Sequence, residues 1–274
     1  MSVATGFELT PRATSSRSLL IELWRSRDLV RILSRKEFFV RYRRASFGLL
    51  WAVGLPLFQA VVIAVVFSRL AHLRPGTTNY VAFILAGLVG WTYFSSTLGT
   101  GSTAVVDGSS LTSRIYFPRM VLPLVTVGSN LYGYLISLVV VVGICFALGV
   151  PASPRLLLLV PATVLLVALT AALCLTLAAL HVYFRDVRWV VQASLLAWMY
   201  VTPVIYPLDR LHGLAHVLWI NPATGMVELF HAAIVGTSGD WIPSVWCSLG
   251  WVVALFVVGI ALFRRFDRVF VDLL

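Results

Sequence analysis

Long apolar stretches alternate with short polar and basic segments from residue 48 onward. A helix needs about 20 apolar residues, each rising about 1.5 Å, to cross a hydrocarbon core of about 30 Å. Six stretches qualify, and they cover residues 48–68, 80–105, 120–148, 156–180, 190–206 and 242–263. The pattern therefore predicts an all-α integral membrane protein with six transmembrane helices.

Two of these predicted spans depart from a uniform apolar run. The fifth is the shortest, and Pro203 interrupts it. The second is the least apolar, because hydroxyl side chains crowd its second half. They are Ser95, Ser96, Thr97, Thr100, Ser102 and Thr103.

The distribution of basic residues predicts the orientation in the membrane. Of the 21 Lys and Arg residues, ten precede the first span, two lie in each of the loops after spans two and four, and three lie in the tail. The remaining four are Arg69, Arg74, Arg155 and Arg210. Because loops rich in Lys and Arg stay in the cytoplasm, both termini are expected there. The chain divides into a cytoplasmic segment (1–47), a six-span domain (48–263) and a cytoplasmic tail (264–274).

Two segments outside the spans have apolar patterns of their own. Residues 19–44 mix apolar side chains with many arginines, which is typical of one or two amphipathic helices at the cytoplasmic membrane surface. Residues 207–241 contain two short apolar stretches around Asn221-Pro222. Each stretch is too short to span the bilayer, so short interfacial or re-entrant helices are expected before the last span.

The composition excludes several classes of protein. Hydrophobic residues make up 59% of the chain and charged residues only 12%, whereas soluble domains carry about a quarter charged residues. The net charge of +10 does not indicate nucleic-acid binding, because the basic residues flank apolar runs. The three cysteines lie inside apolar runs and are interpreted as small buried hydrophobes.

The sequence lacks the motifs that are typical of a standard ATPase site, of common hydrolases and of ion-coupled transporters. A phosphate-binding loop needs Lys followed by Ser or Thr, but the single lysine, Lys36, precedes Glu37, so no ATPase site of this kind is encoded. All eleven acidic residues fall outside the predicted spans or at their edges, which argues against proton or sodium coupling. The sequence contains neither a Gly-x-Ser-x-Gly motif nor paired carboxylates, either of which would indicate catalysis.

Histidines raise the question of a metal site. His212 and His216 share a helical face, and His231 or Asp209 could supply a third ligand for zinc. Solvated or interfacial polar residues explain this pattern better, so no metal site is predicted.

Aromatic residues are abundant, and some lie beside polar residues within the predicted spans. The apolar C–H faces of sugar rings stack on aromatic rings, while sugar hydroxyls pair with Ser, Thr and Asn side chains. A polar and aromatic stripe would therefore suit a sliding glycan, although helix packing explains the same residues individually. The candidates for such a substrate path are Trp91, Tyr93, Phe94, Tyr132, Tyr134, Trp198 and Tyr200.

Three groups of motifs resemble a known family. The first is Arg41-Tyr42-Arg43-Arg44-Ala45-Ser46-Phe47-Gly48-Leu49-Leu50-Trp51, and the second is Phe117-Pro118-Arg119-Met120-Val121-Leu122-Pro123. The third combines Tyr183-Phe184-Arg185-Asp186-Val187 with Thr202-Pro203-Val204-Ile205-Tyr206-Pro207 and Asn221-Pro222. In this order they resemble the ABC-2-type permease subunit of bacterial surface-polysaccharide exporters, which move O-antigen, capsule, teichoic acid or galactan.

The resemblance implies a homodimeric permease in the bacterial cytoplasmic (inner) membrane. Two copies of a separate ATPase subunit would bind ATP and Mg²⁺, so this chain would need no cofactor of its own. The first cytoplasmic loop would dock on that ATPase, and the residues assigned to it are Ser110, Leu111, Arg114, Tyr116, Phe117 and Arg119. The cargo would be a lipid-linked polysaccharide of the cell envelope.

Two interpretations remain open at this stage. Arg41, Arg43 and Arg44 could meet the pyrophosphate of the lipid-linked cargo, or they could simply anchor the cytoplasmic side of the membrane. The alternatives for the whole chain are an ABC-2 permease for a drug, lipid or other cargo, or a membrane-embedded cell-wall enzyme or assembly factor.

Overall fold

A computed structural model describes residues 24–43, 50–66, 79–109, 118–208, 215–237 and 241–266, and within these ranges the regular structure is helical. A 3₁₀ helix, Pro154–Leu158, directly precedes the α-helix Leu159–Tyr183. The α-helices described are α1 (Arg27–Arg43), α2 (Leu50–Val65), α3 (Tyr80–Gly101), α4 (Ala104–Asp107), α5 (Val121–Ala147), α6 (Leu159–Tyr183), α7 (Val187–Val201), α8 (Ala215–Trp219), α9 (Thr224–Ile234) and α10 (Ile242–Phe266).

Four helices among the described residues are long and apolar enough to cross a bilayer. They are Tyr80–Gly101, Val121–Ala147, Pro154–Tyr183 and Ile242–Arg265. These helices lie where the second, third, fourth and sixth spans are predicted. The chain is therefore a multi-pass membrane protein.

Within the described residues, the helices at the other two predicted spans are shorter. α2 has 16 residues and α7 has 15, which gives each a length of about 22 to 24 Å. α7 ends at Val201 because Pro203 disfavours helical backbone in the residue before it, and Thr202 is extended with ψ of 138°. The stretch predicted at 190–206 thus begins and ends earlier than its apolar pattern suggests.

α3 occupies the centre of the packing. It contacts α2, α5, α6, α7 and α9, and its first half is buried without interruption from Ala82 to Trp91. The outer helices instead expose large apolar side chains, such as Trp246 and Val253 of α10. Exposed apolar faces around a buried central helix are what a protein surrounded by lipid requires, because lipid tails solvate them as well as a core does.

Small residues allow the helices to approach closely. A Cβ atom at Gly90 of α3 would lie 2.7 Å from the ring of Phe230 on α9, and one at Gly87 would lie 2.7 Å from Nε2 of His231. Glycines at helix contacts are typical of membrane proteins, where close backbone packing replaces the hydrophobic effect between helices. The two glycines therefore let the short helix α9 lie directly against α3.

Asn221 organises the break between α8 and α9. Its side-chain oxygen accepts hydrogen bonds from Nε1 of Trp198 (2.8 Å) and from the backbone N–H of Ala223 (3.1 Å). Its side-chain nitrogen donates to Oγ1 of Thr202 at 3.0 Å. The two short helices predicted around Asn221-Pro222 are present, and this residue ties them to the end of α7.

The contact between α9 and α10 gives a prediction for Gly225. A Cβ atom there would lie 2.5 Å from the carbonyl oxygen of Ser244 and from Oγ of Ser248. We expect Gly225→Ala to lower the thermal unfolding temperature in detergent, measured by fluorescence-detected size exclusion after heating. Gly250→Ala is the matched control on α10, since nothing lies within 4 Å of its Cβ position and Ala favours a helix. Equal stability of the two variants would contradict the close approach.

Candidate functional site

A polar cleft opens beside the second half of α3. Its α3 wall carries Ser95, Ser96, Gly99 and Thr100, and Thr103 continues the wall beyond the helix. Ser96 and Thr100, one turn apart, are exposed to solvent, whereas the first half of α3 is buried. An exposed row of hydroxyl groups in a membrane-spanning helix is poorly suited to lipid, since polar groups there need partners or water.

Helix α7 forms the opposite wall of the cleft. Arg188, Gln192 and Leu195 face the hydroxyl row, and Asp107 of α4 closes one end. The open cleft has a volume of about 420 Å³, enough for a small polar ligand or for one or two sugar residues. Arg188 and Gln192 are one turn apart on α7, so their spacing places both side chains on one face.

The hydroxyl groups that line the cleft are held by the local backbone. Thr100 Oγ1 donates to the carbonyl of Ser96 at 3.0 Å, and Ser96 Oγ donates to the carbonyl of Tyr93 at 3.2 Å. Thr103 Oγ1 donates to Oδ2 of Asp107 at 2.6 Å. Because each of these hydroxyls donates its hydrogen to an acceptor in this chain, its lone pairs remain available to accept hydrogen bonds from a ligand.

The cleft therefore combines complementary hydrogen-bonding groups with little net charge. Arg188 donates, Asp107 accepts, and the amide of Gln192 does both. One positive and one negative side chain balance, so the lining does not resemble a cluster built for a bare anion. A neutral polyhydroxylated ligand, whose groups both donate and accept, matches this arrangement best.

An aromatic cluster joins the two helices that border the cleft. The ring of Trp198 on α7 lies 5.3 Å from Phe94 and 6.5 Å from Trp91, in edge-to-face geometry with both. Trp91 and Phe94 are buried, and Trp198 is half-buried. These three predicted path residues thus lie together and fix α7 on α3, while their contact with a glycan stays a prediction.

The tyrosines predicted for the path are placed in three settings. Tyr93 and Tyr134 are buried with ring centroids 5.1 Å apart, and Tyr93 donates to the carbonyl of Val127 at 3.0 Å. Tyr132 is half-buried on α5, and Tyr200 is 56% exposed near the end of α7. The structure therefore does not gather the predicted aromatics into a single lining.

The arginines predicted to meet a pyrophosphate lie at the end of α1. Arg41 donates to Oε1 of Glu37 at 3.0 Å and to the side-chain oxygen of Asn130. Arg43 is exposed, and Arg44 lies outside the described residues. Two of the guanidinium nitrogens of Arg41 are therefore already engaged with this chain's own side chains.

Most of the predicted ATPase-docking loop lies outside the described residues. This applies to Ser110, Leu111, Arg114, Tyr116 and Phe117. Arg119 is half-buried in the turn that precedes α5. Asp107, at the other side of this loop, belongs to the polar cleft.

A buried acid and histidine lie on α9, away from the cleft. Glu228 is 6% exposed and His231 is fully buried, with 3.8 Å between Oε1 of Glu228 and Nδ1 of His231. The imidazole also stacks on Phe83 of α3, with 3.8 Å between ring centroids. The sequence pattern places Glu228 outside the spans, and the fold nevertheless buries it among them.

No group of three or more potential metal ligands occurs in the part of the chain that the structure describes. His216 lies against Trp219, with 4.4 Å between ring centroids, and His231 is buried on α9. His212 and Asp209 lie outside the described residues.

The sequence carries a partial signal for the cleft. The crowding of Ser and Thr in the second predicted span marks its α3 wall. Arg188 and Gln192 have no comparable signal, because the pairing of α7 with α3 depends on tertiary packing. Their spacing of four residues indicates a shared helical face but not what that face meets.

The fold and cleft define a helical multi-pass membrane protein with a polar cleft between two helices. The profile of the ABC-2 type transporter family matches residues 28–235, so the chain belongs to this family. A relative from Myxococcus xanthus, O-antigen export system permease protein RfbA, is 30% identical over 217 residues, covering 78% of this chain and 83% of the relative. A protein of the same name from Klebsiella pneumoniae is 25% identical over 253 residues, covering 90% and 95% of the two chains.

The position of Ser96 gives a test of whether the cleft holds water. In a Cys247→Ala background, which removes the exposed native thiol, we expect Ser96→Cys to react readily with a charged methanethiosulfonate reagent in membranes. Val253→Cys is the control, because Val253 is exposed on an apolar face of α10 and should meet lipid. The reactive thiolate forms in water, whereas hydrocarbon keeps the thiol protonated and excludes the charged reagent, so equally slow labelling at both positions would contradict an aqueous cleft.

Proposed function

We propose that this chain is the transmembrane permease subunit of an ATP-driven exporter that moves a lipid-linked polysaccharide across the cytoplasmic membrane. The polar cleft between α3 and α7 is the observation that carries this proposal. It presents hydroxyl, amide, carboxylate and guanidinium groups where an ordinary spanning helix would be apolar. The similarity to O-antigen export permeases along most of the chain supports the same cargo class.

The proposed topology has six spans with both termini in the cytoplasm. α2 and α7 would supply the first and fifth spans, while α8 and α9 would form a re-entrant pair that enters from the outer side. The concentration of arginine at the termini and in alternate loops supports this orientation. The hydroxyl-rich half of α3 then lies toward the cytoplasm, where a polymer made inside the cell would begin its passage.

Energy for export would come from a separate subunit. The single lysine of this chain does not belong to a phosphate-binding loop, so ATP and Mg²⁺ would be bound by two copies of an ATPase partner. Closure of that partner on ATP would shift the loop between α4 and α5 and thereby bias the helices between two arrangements. Asp107 connects this loop to the cleft, because it lies at the end of one and lines the other.

A homodimer would complete the passage. α7 contacts α3 and α6 within its own chain, and it exposes Trp189, Leu196 and Tyr200 elsewhere on its surface. A second copy facing this surface would enclose the open side of the cleft, which a single chain leaves accessible. The exposed aromatic Tyr200 would then be available to stack on sugar rings.

The lipid-linked end of the cargo carries a different chemistry from the glycan. A pyrophosphate group requires cationic donors, and the arginines at the end of α1 are the candidates at the cytoplasmic surface. Arg43 and Arg44 would provide most of this attraction, since Arg41 is engaged by Glu37 and Asn130. The sugar chain itself would follow through the nearly neutral cleft.

The amide of Gln192 gives a direct test of the cleft's role. We expect Gln192→Leu to reduce the rate of surface polysaccharide appearance by about fivefold, the effect of losing a hydrogen bond of about 1 kcal/mol. The measurement is surface labelling of polymer in a strain that lacks its chromosomal permease and carries the variant with its ATPase.

Ser194→Ala is the matched control, since Ser194 is exposed on the same helix but does not line the cleft. Both variants must be present in the membrane at the level of the unmodified chain. Normal export by Gln192→Leu would remove the cleft from the path of the polysaccharide.

A further inference from the structure

A chain of polar side chains connects three helices next to the cleft. The guanidinium of Arg41 on α1 donates to the side-chain oxygen of Asn130 on α5. The side-chain nitrogen of Asn130 donates in turn to Oγ1 of Thr97 on α3 at 3.0 Å. Glu37 holds the other end, since its Oε1 accepts from Arg41 at 3.0 Å. One amide therefore bridges the amino-terminal helix and the central helix.

The contact between α1 and α5 leaves little room for independent movement. Ser34 Oγ donates to the carbonyl of Val125 at 3.0 Å, and a Cβ atom at Gly128 would lie 2.5 Å from that hydroxyl. Phe38 is buried beside Tyr132, with 5.5 Å between ring centroids. Close packing of this kind makes α1 and α5 shift together.

The other end of the polar chain lies within the wall of the cleft. Thr97 is fully buried, but it directly follows Ser96 and precedes Thr100 by one turn. Its carbonyl accepts from Sγ of Cys174 on α6 at 3.6 Å. A displacement of Asn130 would therefore pull on the stretch of α3 that presents the cleft hydroxyls.

The opposite face of α1 is free to respond to its surroundings. Ile32 and Phe39 are exposed there, and Arg35 lies 5.7 Å from the ring centroid of Phe39. An apolar and basic face of this kind suits an anionic membrane surface. Forces on this face would reach α5 through the packed side and then α3 through Asn130.

We propose that Asn130 is a positioning residue that couples the amino-terminal helix α1 to the width of the polar cleft. Through Arg41 and Thr97 it transmits the position of α1 to the hydroxyl-bearing part of α3. The inference rests on the proposed function in one respect, that the cleft belongs to the export path. The coupling itself concerns only this chain and can be measured without export.

The test measures the reactivity of a thiol in the cleft. With the full chain in membranes and Ser96→Cys in the Cys247→Ala background, we expect Arg41→Ala and Asn130→Leu each to change the labelling rate severalfold. Arg35→Ala is the matched control, because it removes an arginine from the exposed face of the same helix. We expect its labelling rate to equal that of the unmodified background.

A conservative substitution separates positioning from general destabilisation. Asn130→Asp keeps an oxygen for Arg41, and the hydroxyl of Thr97 can donate to the new carboxylate. We expect this variant to restore the original labelling rate. Thr97→Val removes only the contact between Asn130 and α3. This variant replaces Asn130→Leu if the latter fails to reach the membrane. We expect it to change the labelling rate as Asn130→Leu does.

Two results would overturn the inference. One is a labelling rate that is unchanged in both the Arg41→Ala and the Thr97→Val variants. The other is a change in Arg35→Ala as large as the change in Arg41→Ala. Neither result bears on whether the chain exports polysaccharide, since the thiol reaction does not require ATP or cargo. Conversely, normal export by a Gln192→Leu cell would remove the cleft from the export path but would leave the coupling measurement intact.

Discussion

The central position of α3 determines where the other described helices can lie. Its first half is apolar and buried, so α5, α6 and α9 pack around it through glycines and apolar side chains. Its second half carries Ser96 and Thr100, whose hydroxyls donate to carbonyls of the same helix and whose lone pairs would find no hydrogen-bond donor in lipid. One helix thus serves as the core of the domain at one end and as the wall of a polar cleft at the other.

The helices are well predicted by the sequence because bilayer thickness imposes a length that apolar runs reveal directly. The second, third, fourth and sixth predicted spans appear as helices of sufficient length. α7 differs because a proline limits backbone geometry over a few residues, an effect that average apolarity does not register. The sequence also predicts the two short helices around Asn221-Pro222, because neither apolar stretch is long enough to cross the membrane.

The candidate site is less accessible to sequence reasoning, since it depends on which helix faces meet. Arg188 and Gln192 become part of a cleft only because Trp198 packs α7 against Trp91 and Phe94. The burial of Glu228 likewise follows from the close approach of α9 to α3 at Gly87 and has no counterpart in the apolar pattern.

In the proposed exporter, this chain is a passive membrane subunit whose polar cleft would change shape when an ATPase partner closes. The most direct test is to isolate the full chain from membranes with its bound proteins and to measure ATP hydrolysis with and without lipid-linked polysaccharide. We expect a co-purifying ATPase whose turnover changes when the glycan is added. Absence of any ATPase from the isolated complex, in a detergent that preserves the fold, would contradict the proposal that this chain is the permease subunit of an ATP-driven exporter.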